Sequence, residues 1–171
     1  MQDEAYVRMH PTLAATWAAP GQRPVIDTWD QHQRRVLYGA VEPRTGQLAM
    51  GWMNRPGADG MLQHLEQIAR VWPEGTVIVV MDNGPGHKSA RVRQWFRAHP
   101  HVQPFYLPPY CPQLNGIERL WKDYRHQVVH NHRHRDVDEL ERASQAYHAE
   151  LAADPARVRH LVRVNHASIL S

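Results

Sequence analysis

Val77-Ile-Val-Val-Met-Asp82-Asn-Gly-Pro-Gly-His87 and Tyr106-Leu-Pro-Pro-Tyr-Cys-Pro-Gln-Leu-Asn-Gly-Ile-Glu118-Arg-Leu-Trp121 decide how this chain is read. The first is a continuous apolar run that ends on an acid. Unbroken apolar runs of this length suit a strand covered on both faces, as in a central or parallel strand. Asp82 then sits at the carboxyl end of that strand, where ligand sites of open α/β sheets collect. Asn83-Gly84-Pro85-Gly86 cannot prolong the strand and predicts a tight loop closed by His87. The second segment is a proline-rich loop running into a helix. Ile117, Leu120, Trp121, Tyr124 and Val128 recur at helical spacing and make a narrow apolar stripe. Glu118 lies roughly 100° round from Ile117, at the border of that stripe, and Arg125 falls within about 20° of Glu118. Arg119 and Lys122 lie farther out.

Outward from these segments, strands are predicted over 2–8, 34–42, 47–53 and 102–107, with Pro43-Arg-Thr-Gly46 turning a hairpin. Helices are predicted over 58–72, 89–98, 114–129 and 136–152, joined by loop-like sequence at 10–24 and a His-rich hinge at 130–134. Strands first, then strand and helix in alternation, argue for an α/β layer with a mixed sheet.

The 171 residues suit one domain able to bury a core without staples. One cysteine, Cys111, excludes an internal disulfide framework and fits a reducing compartment. No apolar run approaches the ~20 residues of a membrane span, and no secretory leader pattern opens the chain. A net charge of +3 with 13 histidines is compatible with a polyanionic partner without requiring one. Of the 20 basic residues only Lys88 and Lys122 are lysines; arginine suits phosphate contacts, and a biased genome composition accounts for the excess equally well.

Hard divalent cations prefer carboxylate oxygens and keep positions for water and phosphate. A metal pair about 4 Å apart can clamp both oxygens of an in-line displacement, for which two acids are too few. Asp3, on the opening strand, is the best third. Glu4 follows it but points to the opposite sheet face by strand alternation. Taken singly, Asp82 is a turn former and Glu118 a helix-dipole partner; only the joint pattern points to a site. His130-Asn131-His132-Arg-His134 reads as a solvated basic hinge, the six tryptophans as packing residues, and Tyr110 as the one aromatic placed to lie near a polyanionic partner.

The ordered set Asp3-Glu4, His10-Pro-Thr-Leu13, Trp17, Gly21-Gln-Arg-Pro24, Leu37-Tyr-Gly-Ala-Val-Glu-Pro43, Asp82-Asn83 with His87, Leu107-Pro-Pro-Tyr110, Leu114-Asn115 and Ile117-Glu118-Arg-Leu-Trp121 resembles the catalytic domain of DDE transposases of the mariner-like superfamily, on the branch carried by bacterial insertion sequences. The resemblance runs to about residue 150, and 35 residues lie between Asp82 and Glu118. It implies an RNase H-like α/β fold over residues 1–153: a five-stranded mixed sheet, three strands antiparallel and two parallel, with helices on both faces, followed by a helical tail over 154–171. It implies that Asp3, Asp82 and Glu118 hold two Mg²⁺ or Mn²⁺ ions, with Asn83, His87 and Asn115 in supporting roles. Lys88, Arg119, Lys122 and Arg125 are the residues expected to meet DNA. The implied chemistry is attack of water on a phosphodiester at the transposon end, then attack of the freed 3′-hydroxyl on target DNA. DNA is the implied partner, a homodimer the implied assembly, and the bacterial cytoplasm, with the nucleoid, the implied location.

Two departures stand at Gly116, where the family usually carries proline, and Cys111, where it commonly carries serine; Gly116 is expected to loosen the turn before the helix. Asp3 also lies nearer the start than in the family, so the first strand is expected to be clipped and the helix-turn-helix segment to lie elsewhere, on a separate chain for example. Two competing readings remain: an inactive remnant that binds DNA or protein, and another RNase H-like nuclease, for instance one acting on RNA–DNA hybrids.

Overall fold

Alternation of apolar side chains along the first strands builds two cores, one on each side of a shared sheet. The computed structural model describes residues 1–9, 12, 14–22, 25, 33–53, 55–109 and 111–163, without the side chain of residue 112. β1 (Gln2–Arg8) pairs antiparallel with β2 (Arg34–Val41), and β2 with β3 (Leu48–Met53). α1 (Ala58–Val71), β4 (Val77–Met81), α2 (Ala90–Ala98) and β5 (Val102–Tyr106) follow, with β4 and β5 parallel. α3 (Ile117–Tyr124) runs into a π-helical turn over Arg125–Val129, and α4 (Val137–Ala153) and α5 (Pro155–Val162) end the described chain.

The predicted elements are thus all present, with one change of form. The 114–129 segment is not one α-helix but a short 3₁₀ turn at Pro112–Leu114, then α3, then the π turn. Its apolar stripe is intact: Ile117, Leu120, Trp121, Tyr124 and Val128 are all buried. The tail over 154–171 is helical to Val162, with Val158 and Val162 fully buried in the core; its remainder, 164–171, lies outside the described residues.

One core joins Ala5, Val7, Leu37 and Met50 to α3, α4 and α5; the other joins Val36, Tyr38 and Ala40 to α1, α2, β4 and β5. Helices therefore cover both faces of the β1–β3 layer, as expected. The ladders are three strands and two: β1 and β4 touch, but no β1–β4 pairing joins the two sheets among the described residues.

The expectation that β4 is covered on both faces is corrected. Val79 and Met81 are buried, whereas Ile78 is 60% exposed and Phe105, on the neighbouring strand, 55%. An apolar run cannot say how many faces are covered; here the helices of that face pack on β1–β3 and leave the outer side of β4–β5 open. Trp17 is a second correction. It is fully exposed rather than packed, because the described residues around it, 14–22, form no regular element that could bury it. Trp29 and Tyr110 lie outside the described residues. No helix among those described is long and apolar enough to cross a membrane.

Gly39, paired with Asp3, sets how close α3 comes. A Cβ there would stand 2.7 Å from the Trp121 ring and 3.3 Å from Ile117. The absent side chain is the space into which the indole fits. Gly39→Ala is expected to cost about 1–3 kcal/mol by overpacking, read as a lower urea midpoint with an unchanged slope; an unchanged midpoint contradicts this packing.

Candidate carboxylate cleft

Three local devices bring the site together. The first is strand alternation. Asp3 faces the core of α3, while Glu4, opposite Tyr38, faces the core of α1 and α2. The second is the start of α3. Asn115, 4% exposed, donates through Nδ2 to the Gln2 carbonyl at 3.0 Å, and its own carbonyl accepts from the Glu118 N–H at 3.1 Å. That fastens the first turn of α3 to the residue before Asp3. The third is the loop after β4. Asn83 donates through Nδ2 to the Leu107 carbonyl, which ties this loop to the end of β5.

The outcome is a cleft of about 420 Å³ lined by Asp3, Asp82, Asn83, Gly84, Leu107, Pro108, Pro109, Cys111, Asn115 and Glu118. All three sequence-predicted acids lie on its wall, with Asn83 and Asn115. Asp3 and Glu118 lie close enough for the charge of Glu118 to act on the Asp3 carboxyl group. Asp82 lines the same cleft. Among the described residues no three acidic, His or Cys side chains converge closely enough to enclose a single ion.

Asp82 is instead held from its own side. Its Oδ1 accepts from the Gly84 N–H at 2.7 Å and lies 2.7 Å from His87 Nδ1. His87 is 2% exposed, and its Nε2 stands 3.1 Å from Glu4 Oε2. Burial disfavours charge on this ring, but the hydrogen bond and charge of Glu4, with the charge of Asp82, outweigh it and hold His87 above the usual imidazole range. The Tyr106 hydroxyl donates to the His87 carbonyl at 3.1 Å and further fixes the loop. Glu4 is the participant that strand alternation alone dismissed. Alternation places it correctly on the far face, but only the three-dimensional course of the β4 loop shows that His87 reaches that face.

Of the predicted basic residues, Lys88 lies over the Tyr106 ring, 5.0 Å from its centroid. Arg119 donates to the Arg163 carbonyl, Lys122 is exposed on α3, and Arg125 is half-buried at the start of the π turn. Gly116 does not loosen its turn: it is buried, and a Cβ there would collide with the Val162 carbonyl of α5. The 130–134 hinge is tied down by Thr12 Oγ1 to His130 Nδ1 at 2.6 Å and by His134 Nε2 to the Val128 carbonyl at 2.7 Å.

The donor set fits a hard cation. It is made of carboxylate oxygens, and the buried Asn115 Oδ1 in the cleft wall has no protein hydrogen-bond partner. Crowding has a measurable sign. Burial first, then the charges of Glu118 and Glu4, raise the Asp3 pKa from 3.8 to about 7.

Two acids near strand ends and one at a helix start thus line a single cleft of an α/β layer. The comparisons agree. A family model described as DDE superfamily endonuclease matches residues 1–141. This chain belongs to the DDE superfamily endonucleases. The insertion element IS630 uncharacterized 39 kDa protein of Shigella sonnei is 26% identical over 132 residues, covering 77% of this chain and 38% of that protein. The transposable element Tcb2 transposase of Caenorhabditis briggsae is 37% identical over 68 residues, 37% of this chain and 24% of that one. In fold, the chain is similar to the Mos1 strand transfer complex structure (TM-score 0.68, 16% identity, 94% of this chain and 49% of that one) and to the Mos1 mariner paired end complex with Mn (TM-score 0.66, 16% identity, 94% and 52%). The chain thus spans about two fifths of the length of the insertion-element relative and half that of the solved structures.

A carboxyl group whose folded pKa lies above its unfolded value contributes stability that is fully present below the unfolded pKa and is lost as pH rises through the folded one. For Asp3 that window runs from 3.8 to about 7. In buffer containing a chelator, Asp3→Asn is expected to be more stable than the parent at pH 8, by about 1–2 kcal/mol, and to lose the parent's decline between pH 4 and 7. Equal pH profiles in urea melts of the two proteins contradict the crowding of Asp3.

Proposed function

We propose that this chain is the catalytic domain of a DNA transposase that cleaves and joins phosphodiester bonds. The observation that carries this reading is the single cleft whose wall holds Asp3, Asp82 and Glu118. The three acids would hold two divalent ions, Mg²⁺ or Mn²⁺. When bound, such ions polarise phosphodiester oxygens and lower the pKa of water.

The chain's own groups set the rest. Asn115 keeps Glu118 beside β1, Asn83 holds the Asp82 loop against the end of β5, and His87 with Gly84 fixes one oxygen of Asp82. Lys88, Arg119, Lys122 and Arg125 supply positive charge next to the acids in sequence and bind DNA phosphates. Water is the nucleophile of the first cleavage, and the freed 3′-hydroxyl attacks target DNA. We further propose that β1 and β4, which touch, make the two ladders one five-stranded layer. Residues 1–153 form the catalytic unit, and α5 buttresses it. A homodimer brings two transposon ends together, and the site of action is the bacterial nucleoid.

The failure of three acids to converge on one point favours a second reading, a non-catalytic DNA-binding or interaction domain of the same fold. Nicking of supercoiled plasmid in Mg²⁺ separates the two. Asp3→Asn, Asp82→Asn and Glu118→Gln are each expected to lower the initial rate at least about 100-fold, with RNA–DNA hybrid cut no faster than duplex DNA. A folded parent that never nicks supports the non-catalytic reading. Undiminished nicking by Asp82→Asn removes the proposed mechanism, and a preference for the hybrid points to a different nuclease of this fold.

A further inference from the structure

Glu4 has no direct place in the cleft. Its cross-strand partner is Tyr38, and it looks toward the core of α1 and α2 while its neighbour Asp3 looks toward α3. Yet Glu4 is joined to Asp82 by a single ring. His87 is buried, its Nε2 is 3.1 Å from Glu4 Oε2, and its Nδ1 is 2.7 Å from Asp82 Oδ1. The ring's freedom is removed from both ends and from its backbone, where the His87 N–H donates to the Gly84 carbonyl at 3.0 Å and the His87 carbonyl accepts from Tyr106. Asp82 is otherwise a solvent-facing side chain, 60% exposed. An exposed aspartate at the end of a strand rotates freely unless something selects one rotamer.

We propose that Glu4 is a positioning residue for Asp82, acting through His87: the Glu4–His87–Asp82 bridge holds Oδ1 of Asp82 and so presents its other oxygen to a divalent cation. This rests on the reading of Asp82 as a metal ligand. Groups that hydrogen-bond a ligating side chain from behind fix its orientation and tune its affinity for metal. Gly84 completes the arrangement. Its N–H donates to the same Oδ1, and a Cβ at this position would stand 3.0 Å from that oxygen and 3.3 Å from His87 Nδ1, so a side chain would press into the bridge. The two adjacent acids of β1 thereby serve one cleft from opposite faces of the sheet, Asp3 directly and Glu4 from behind.

The test uses two readouts on the whole chain: Mn²⁺ affinity by calorimetry, and the Gly84 amide proton resonance in the metal-free protein, which reports the hydrogen bond to Asp82 Oδ1. Glu4→Ala is expected to shift the Gly84 amide upfield and weaken Mn²⁺ binding at least about tenfold. Glu4→Gln, which keeps an acceptor at the same reach, is expected to restore both to near the parent. Glu4→Asp keeps the charge and the fold but shortens the reach, and is expected to move the amide as Glu4→Ala does. An unmoved Gly84 amide in Glu4→Asp overturns the proposal, as does Mn²⁺ affinity equal to the parent's in folded Glu4→Ala. If the amide responds but Asp82→Asn binds Mn²⁺ as tightly as the parent, the bridge stands and the metal-ligand reading of Asp82 fails.

Discussion

The seating of Trp121 on Gly39 is the contact from which the rest of this molecule follows. Gly39 is the ladder partner of Asp3, and the missing side chain lets α3 approach the middle of the sheet more closely than any other residue would allow. Ile117 and Trp121 fill that space, and Glu118, next to Ile117, is carried to the Asp3 carboxyl group. Helix packing, rather than any attraction between acids, brings the carboxylates together. Two acids are mutually repulsive, so the close approach has to be imposed by burial of apolar surface elsewhere on the same helix. The buttress is α5: its Val158 and Val162 are fully buried in the same core, and its last carbonyl closes over Gly116 at the start of α3.

The electrostatic consequence is a cleft poised for positive charge. Burial, and then the negative charges of Glu118 and Glu4, raise the Asp3 pKa to about 7. A cation bound there would relieve the repulsion. Asp82 is treated differently. It is exposed, bonded to a backbone N–H and faced by an imidazole, so the surroundings control its orientation. Site geometry therefore has two independent supports, one through the α3 packing and one through the β4 loop.

Much of this was legible in the chain. The apolar run to Met81 announces β4 and places Asp82 at its end; the Ile117–Val128 stripe announces the buried face of α3; the 43–46 turn announces the β2–β3 hairpin. Each rests on periodicity or turn chemistry, which are local. What was not legible depends on neighbours distant in sequence. The open face of β4 shows only when the helices are placed. The π turn after Tyr124 leaves intact a stripe that would fit a continuous helix equally well. Glu4 was set aside on sound local grounds, since alternation does turn it from Asp3; the loop that brings His87 to it, 83 residues on, has no signature in the strand. Gly116, expected to loosen a turn, instead admits the α5 backbone, a contact that no local pattern records.

The account stands on three carboxylates, from two strands' ends and a helix start, acting on a common pair of cations. Anomalous diffraction from crystals soaked in Mn²⁺ addresses that directly. Two peaks are expected in the cleft, each at coordination distance from carboxylate oxygens, with Asp3, Asp82 and Glu118 all among the ligands. Mn²⁺ bound elsewhere on the protein, or held by Asp3 and Glu118 with Asp82 still turned to His87 and taking no part, would contradict it.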